Sequence, residues 1–495
     1  MILFISSIVM STIIFQATTW TSSDTYFRKK IDDVMQLVHQ FQIRAYGITA
    51  EGATVCLKIN DFQPSFYLPI LPFMDTDGKR AAFISKLSAL VNDRVEEGDR
   101  RFEIAAAPVV RRIKMEGFTN YERYPFFHLI FNNLRSYNAF KTALDHSLPS
   151  HIIPVEYETY YQRNKYETNI PPLLKFYHTT NIQPCGWIQI NQYRNTPVHE
   201  TRCQFECQSS IANLRPLNDI QTIAPLKIAS FDIECTSGDG SFPDASREDD
   251  QVIQIGLTLH RYGERACYGR HVYCLGETAP IETACECPCG KPAVISYTSE
   301  RDMIMGFAHD LMEHDPQIVT GYNIFGFDFS YIIDRAKCLY IRQSARRLAT
   351  AFDKQLCQIL SMHTKRSGRY VEKELSSSAL GENILKYVEM EGVLSIDMLK
   401  NIQGNHKLDS YKLDHVAEEF LKQNKVDFTP NQIFQAYRQG TPESLREIAV
   451  YCLKDCELVN LLIMDQKTVS NNVGMANVCI VPFSFLITRG QGIKV

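Results

Sequence analysis

A chain of 495 residues with 45% hydrophobic, 22% charged and 11% aromatic side chains is ordinary globular material. That composition excludes disordered and fibrous classes, and the length fits about three domains of roughly 150 residues each. The net charge of -4 neither announces a nucleic-acid binder nor excludes one, because local basic surfaces outweigh the sum. Cysteines without a regular framework suit a reducing cytosolic or nuclear compartment and argue against a secreted disulfide scaffold.

The chain opens with MILFISSIVMSTIIF, and its first charged side chain is Asp24. This stretch lacks the basic n-region of a signal peptide and is short for a membrane span. It is read as a buried strand, or as sequence upstream of an initiator at Met10, in a protein neither secreted nor membrane-bound. FQIRAYGI, ATVCLKI and FQPSFYLPI alternate with turn signals and predict a small antiparallel sheet. Helical spacing of Phe83, Leu87 and Leu90 predicts a helix from Lys79 to Val95. FFHLIFNNLRSYNAFKTALDHS reads as a β-α unit, and HTTNIQPCGWIQI and ETRCQFECQSS as further strands. The first 223 residues are thus mixed α/β, without a visible catalytic constellation.

From Pro225 the pattern changes. KIASFDIECT, DDQVIQIGLTLHRYG and CYGRHVYCLG read as strands, RDMIMGFAHDLMEHDP as a helix ending before Pro316, QIVTGYN as a strand and FDFSYIIDRAKCLYIRQ as a helix. Such alternation predicts an α/β domain with a covered mixed sheet. A long helix is expected from Pro442 to about Lys467.

Three segments carry the acids that matter. Asp232 and Glu234 lie two apart in a run that otherwise reads as a buried strand. Residues i and i+2 share a face, so these carboxylates project together while Phe231, Ile233 and Cys235 take the other side. An ordinary polar strand face explains the pair equally well. Asp328 follows a strand ending at Tyr322-Asn323 and a Gly-containing loop, at the start of a helix. Helix capping accounts for such an acid, and a turn accounts for Asn323. Tyr451 and Asp455 are i and i+4 on one helix face, beside an apolar stripe of Ile448, Cys452 and Val459. A helix margin explains them as readily. Taken together, carboxylates from separated segments suggest a two-metal site of the kind that cuts phosphodiesters.

In order and spacing these segments resemble the N-terminal and proofreading portion of family B DNA polymerases, the replicative delta-like group. FDIEC is similar to the first exonuclease motif, YNIFGFDFSY to the second and YCLKD to the third. HKLDSYKLDHVAEEFL and VPFSFLITRGQGIKV also resemble that family, and NNVGMANVC with GQGIK is most like its branch in large DNA viruses. The resemblance covers about residues 34–495. It implies a mixed α/β N-terminal domain (1–223), an RNase H-like 3′–5′ exonuclease domain with a central mixed sheet (224–470), and the start of a connection to a polymerase palm (471–495). It implies further that Asp232, Glu234, Asp328 and Asp455 hold two Mg2+ (or Mn2+) ions. Tyr451 would orient the attacking water, and Asn323 would contact the 3′-terminal nucleotide or support the site. The implied substrate is DNA, as a single-stranded 3′ end or primer-template. A sliding clamp or the polymerase domains are the implied partners, and the nucleus, the cytoplasm or a viral replication site the implied location.

Between the second and third motifs runs a cationic stretch: Arg335, Lys337, Arg342, Arg346, Arg347, Lys354, Lys365, Arg366 and Arg369. A solvated helix face is one reading; beside a nuclease site, contact with the phosphate backbone is the other, with Arg346, Arg347, Lys365 and Arg366 as substrate-binding candidates. Cys285, Cys287 and Cys289 invite a zinc reading. They lack pairwise CxxC spacing and a clear fourth ligand, Cys274 being the nearest candidate, so a reduced surface loop is expected. The palm motifs that synthesis needs, SLYPS-like and YGDTDS-like, do not occur in these residues. The expectation is a truncated, split or incompletely sequenced polymerase that excises nucleotides and does not add them. Two other classes stay open: a stand-alone exonuclease for repair or RNA processing, and a non-catalytic DNA-binding subunit.

Overall fold

The computed structural model describes residues 12–31, 34–93, 101–114, 117–196, 198–282, 289–343, 352–377, 381–423 and 428–489. Two long strands come first, β1 (Ile13–Ile31) and β2 (Val34–Ile48), then β3 (Thr54–Ile59) and β4 (Ser65–Pro69). They are followed by α1 (Asp77–Asn92), β5 (Val109–Ile113), β6 (Arg123–Ile130), α2 (Leu134–Ala143), α3 (Tyr160–Arg163) and α4 (Pro172–Thr180). Short strands β7 (Trp187–Ile190), β8 (Arg194–Asn195), β9 (Phe205–Ser209) and β10 (Leu214–Pro216) close this part.

Where it is described the apolar opening is a strand with one face buried: Ile13 and Phe15 of β1 are core residues, Thr12 and Ile14 are exposed, and residues 1–11, Met10 among them, lie outside the described residues. β1 and β2 form an antiparallel ribbon from Gln16↔Ile48 to Ile31↔Val34, within a sheet of order β10-β7-β1-β2-β3-β9-β8. The expected antiparallel pairing holds for β2 and β3. It fails for FQPSFYLPI, because β4 leaves that sheet and pairs with β6 in a separate one of order β4-β6-β5. The turn through Pro64 redirects the chain: Pro64 has no N–H to offer the ladder, and its carbonyl accepts instead from Phe131 N at 2.9 Å. Phe66, Leu68, Phe83, Phe127 and Phe140 then form a core of their own with α1 and α2.

The second part runs β11 (Lys227–Cys235), β12 (Val252–Arg261), β13 (Cys267–Leu275), β14 (Ala293–Tyr297), α5 (Glu300–Glu313), β15 (Ile318–Gly321), α6 (Asp328–Gln343) and α7 (Phe352–Ile359). A hairpin β16 (Arg369–Ser377) and β17 (Gly381–Glu389) precedes β18 (Leu394–Asp397). The helices α8 (Met398–Asn405), α9 (Leu413–Leu421), α10 (Pro430–Gln439), α11 (Pro442–Asp465), α12 (Thr468–Cys479) and α13 (Phe483–Thr488) follow. Local chemistry sets the ends of the main helices. Ser299 caps α5, and Thr441 caps α11 with Pro442 in its first turn.

These strands make a mixed sheet of order β14-β13-β12-β11-β15-β18. β12 runs antiparallel to both β11 and β13, while β15 runs parallel to β11 and to β18. Period-2 alternation in β11 feeds two cores. Phe231 and Ile233 pack with Phe307 of α5 and Phe329 of α6, and Ile228 packs with Leu458 and Leu462 of α11. Both faces of the sheet are therefore covered, as a largely buried α/β sheet requires. The two parts also share core: Tyr46 and Cys56 belong to the same apolar cluster as Phe231. Among the described residues no helix is long and apolar enough to cross a membrane.

Candidate active site

The site lies where β11 outruns its neighbour. β15 pairs with β11 only as far as Ser230↔Thr320, so Asp232 and Glu234 extend past the point where the β15 chain turns away. Crevices at such strand ends are where open α/β sheets bind ligands. As the alternation predicts, both acids face α11, the side opposite Phe231 and Ile233. Glu234 is buried while Asp232 keeps an edge toward solvent.

α11 reaches these acids through a gap left by a glycine that no local pattern singles out. Gly256 of β12 is the register partner of Asp232. A β-carbon on Gly256 would lie 2.9 Å from Cys452 Sγ, 3.0 Å from Cys456 Sγ and 3.2 Å from Cys452 O. With no side chain there, the helix sits close, and Tyr451 and Asp455 come to the acids buried, at 8% and 5% exposure. Cys452 is also more than part of an apolar stripe. Its Sγ is 3.5 Å from Asp232 O and 3.8 Å from Asp232 Oδ2. It forms with Asp232 and Glu234 a group whose ligand atoms all lie within 4.8 Å of one another.

The fourth acid arrives at the first residue of α6, after the loop from β15. Asp328 Oδ1 accepts from Ile233 N at 3.2 Å, beside the strand position between the first two acids. Asn323 adopts a left-handed φ of 67°, a conformation that asparagine tolerates. Its carbonyl accepts from Gly326 N and Phe327 N, each at 2.9 Å, so the turn role is realised. The group that fixes this loop is one that sequence reading missed. Asp397, at the end of β18, accepts from Asn323 N at 2.9 Å, Phe325 N at 3.0 Å and, as the cap of α8, Leu399 N at 2.9 Å. SIDML did carry a cap signal, but a cap signal cannot reveal two further acceptor contacts across more than seventy residues. A second missed feature is Phe242. It is 78% exposed and lies edge-on to Phe327, the residue before Asp328, with ring centroids 5.5 Å apart.

Electrostatically the cluster is crowded with one sign. Burial raises the Asp232 pKa well above the usual carboxylate range, and Asp328, Glu234 and Asp455 raise it further. Burial lifts Asp328 to about 7, against hydrogen bonds that pull it down. The Tyr451 hydroxyl is pushed far up by burial and by Asp455, Glu234 and Asp232, so it stays protonated. Carboxylates gathered at one end of a strand are the oxygen donors a hard divalent cation prefers, so the acids present fit such ions.

The cationic stretch needs correction. Arg335 is no phosphate contact: it is fully buried and pairs with Glu300, its Nε 2.8 Å from Glu300 Oε1, and donates to Ala245 O and Arg247 O at 3.1 and 2.7 Å. Those bonds hold the loop after β11, a structural task helical spacing could not distinguish from a surface one. Lys365 is exposed and pairs with Glu200 at 3.1 Å, and Arg366 donates to Ser23 Oγ at 2.7 Å. Both therefore join the two parts of the molecule. Arg346 and Arg347 lie outside the described residues, as do Cys285 and Cys287. Cys274, considered as a fourth ligand, is buried among Val272, Ala449 and Leu453. Among the described residues a thiol near Cys289 is that of Cys267, with sulfurs 3.4 Å apart.

Comparison with known proteins agrees with this arrangement. Residues 163–416 match the family described as DNA polymerase family B, exonuclease domain. A DNA polymerase of Acanthamoeba polyphaga mimivirus is 27% identical over 92% of this chain and 36% of its own length. The DNA polymerase delta catalytic subunit of Glycine max is 31% identical over 92% of this chain and 39% of its own. The family B DNA polymerase of the hyperthermophilic archaeon Pyrobaculum calidifontis shares the fold, with a TM-score of 0.57 and 17% identity over 96% of this chain and 48% of that one. The chain thus spans between 36% and 51% of the length of the viral relatives it matches. With the acids gathered on an RNase H-like mixed sheet and the family match covering their first two segments, the chain belongs to DNA polymerase family B and carries that family's exonuclease domain.

Proposed function

We propose that this chain removes 3′-terminal nucleotides from DNA, as the proofreading part of a replicative family B polymerase. The observation that carries the reading is the meeting of Asp232, Glu234, Asp328 and Asp455 at one end of β11, with their like charges acting on one another. In this reading the four carboxylates hold two Mg2+ or Mn2+ ions. When bound, these supply Lewis-acid stabilisation of the attacking and leaving oxygens.

The protein's own groups do the rest. Tyr451, kept protonated by its surroundings, can donate to and accept from a water, and so orients it toward the scissile phosphate. Asp232 is the acid with an open edge, where the substrate end enters. Phe242 and Phe327 offer the terminal base a stacking surface beside Asp328. Asn323, whose N–H is held by Asp397, would contact the last nucleotide or support the site. The domain division at residues 223/224 and 470/471 follows the same reading, as do DNA replication sites in the nucleus, the cytoplasm or a viral factory. A sliding clamp and polymerase domains remain the partners it implies.

The test is digestion of 3′-ended single-stranded DNA with and without Mg2+, comparing the chain with its Asp232→Ala/Glu234→Ala variant. Loss of at least about 100-fold is expected, the scale seen when groups acting as a unit are removed. Equal digestion by both proteins, or none by either, overturns the assignment.

A further inference from the structure

A second convergence of ligand-type side chains occupies the other face of the same sheet. In β13, Tyr273 packs into the core shared with α5, whereas Val272 and Cys274 face α11. His271 has the parity of Tyr273 and meets α5. From the last turn of that helix comes Asp310, and one turn on, at the C-cap, His314. A nitrogen or oxygen from each of the three lies within 4.8 Å of the others. His271 Nδ1 is 2.6 Å from Asp310 Oδ2, and the two imidazoles stand edge to face with centroids 5.1 Å apart.

Two details separate this group from an ordinary ion pair. His314 Nε2 is a buried polar atom 3.5 Å from Asp310 Oδ1 that makes no hydrogen bond among the described residues. Such atoms are rare and call for an explanation. The Tyr273 hydroxyl meanwhile donates to the same Asp310 Oδ2, orienting the carboxylate as outer-shell donors do at metal centres. The side chains of His271, Asp310 and His314 remain 20%, 24% and 28% exposed, which leaves a side open to water.

We propose that His271, Asp310 and His314 bind a divalent transition-metal ion, zinc by ligand chemistry, at a site separate from the acidic cluster. Two imidazoles and one carboxylate suit zinc rather than magnesium or calcium, which favour all-oxygen sets, and three protein ligands leave a fourth position for water. The ion would tie β13 to the end of α5.

The experiment uses the full chain carrying Asp232→Ala/Glu234→Ala, so that the acidic cluster contributes no metal. After chelator treatment the protein is incubated with zinc chloride, gel-filtered and assayed for bound zinc. About one zinc per chain should be lost on adding His271→Gln/His314→Gln. Asp310→Asn keeps the hydrogen-bonding shape and should lose the same equivalent, which covers the case of a double variant that fails to fold. Cobalt loading should give ligand-field absorption without a thiolate charge-transfer band. Equal zinc content in parent and variants, no retained zinc, or a thiolate band marking a metal on cysteines such as Cys267 and Cys289 would each overturn the proposal. None of these readouts depends on nuclease activity.

Discussion

Buried acids occur in both halves of this molecule, and they are treated in opposite ways. In the N-terminal sheet, Lys58 of β3 lies 2.7 Å from Glu200 and 2.7 Å from Glu206. Glu206 also accepts from the backbone of Glu200 and Thr201 and from the Thr201 hydroxyl. Burial works against Glu200, yet hydrogen bonds from Lys58 and Lys365 bring it down to about 2. On β11 the carboxylates that act most strongly on Asp232 carry its own sign. Asp232 is raised by burial and then by three neighbouring carboxylates, and Asp328 reaches about 7. An acid paired within the protein is part of the architecture. Acids crowded together are the pattern the proposed cation site rests on.

The largest effect should follow from breaking the compensated side. Lys58→Met leaves the buried Glu206 with no cation and Glu200 with Lys365 alone, and should cost about 3–5 kcal/mol in urea unfolding. Adding Glu206→Gln should recover part of it; a Lys58→Met protein as stable as the parent would mean that this trio is not a buried pair in solution.

On the crowded side the sign reverses. Asp328 has a folded pKa of about 7, above its ordinary 3.8. Its contribution to stability is thus fully present below pH 3.8 and lost as pH rises through about 7. In chelator, Asp328→Asn should stabilise the protein by about 2–4 kcal/mol at pH 8 and by little at pH 4, with Mn2+ stabilising the parent more than the variant. A variant less stable than the parent at pH 8 without metal would show the charges to be balanced already.

A smaller effect sharpens the contrast by adding burial without any charged partner. His260 of β12 is held neutral by burial, its pKa lowered from 6.5 to about 4. A depressed histidine contributes stability above pH 6.5 that is lost as pH falls toward 4. His260→Gln should flatten the stability profile in that window by about 1–3 kcal/mol. Gly256→Ala probes the geometry that creates the crowding. It should cost about 1–3 kcal/mol by overpacking against Cys452, and lower nuclease activity by about 100-fold if α11 is displaced by as little as an ångström. Unchanged activity would mean that the helix position is less critical than the close approach suggests.

Much of this was readable from residues alone, and the rest has a common reason for having been hidden. Alternation in FDIEC fixed which faces Asp232 and Phe231 take, and Pro442 with the i, i+4 spacing fixed α11 and the shared side of Tyr451 and Asp455. These are local properties of strand and helix periods. Gly256 opposite Asp232, Asp397 beneath Asn323 and Glu300 on Arg335 are pairings between distant segments, which depend on register and packing. Arg335 shows the cost of that blindness, since its sequence neighbours made it look like a surface cation. β4 shows it at the level of a strand: its β character was legible, its partner was not.

The core shared by the two parts decides how the molecule could be taken apart. Tyr46 and Cys56 complete the cluster around Phe231, and Glu391, just after β17, accepts hydrogen bonds from Thr21, Arg44 and Tyr46. A version cut to begin near residue 224 would strip apolar cover from the nuclease sheet and leave Glu391 without these partners. The proposed trimming activity is therefore not a cassette to be lifted out and fused elsewhere. Anyone transplanting it would have to carry the N-terminal ribbon along, or rebuild the surface it leaves behind.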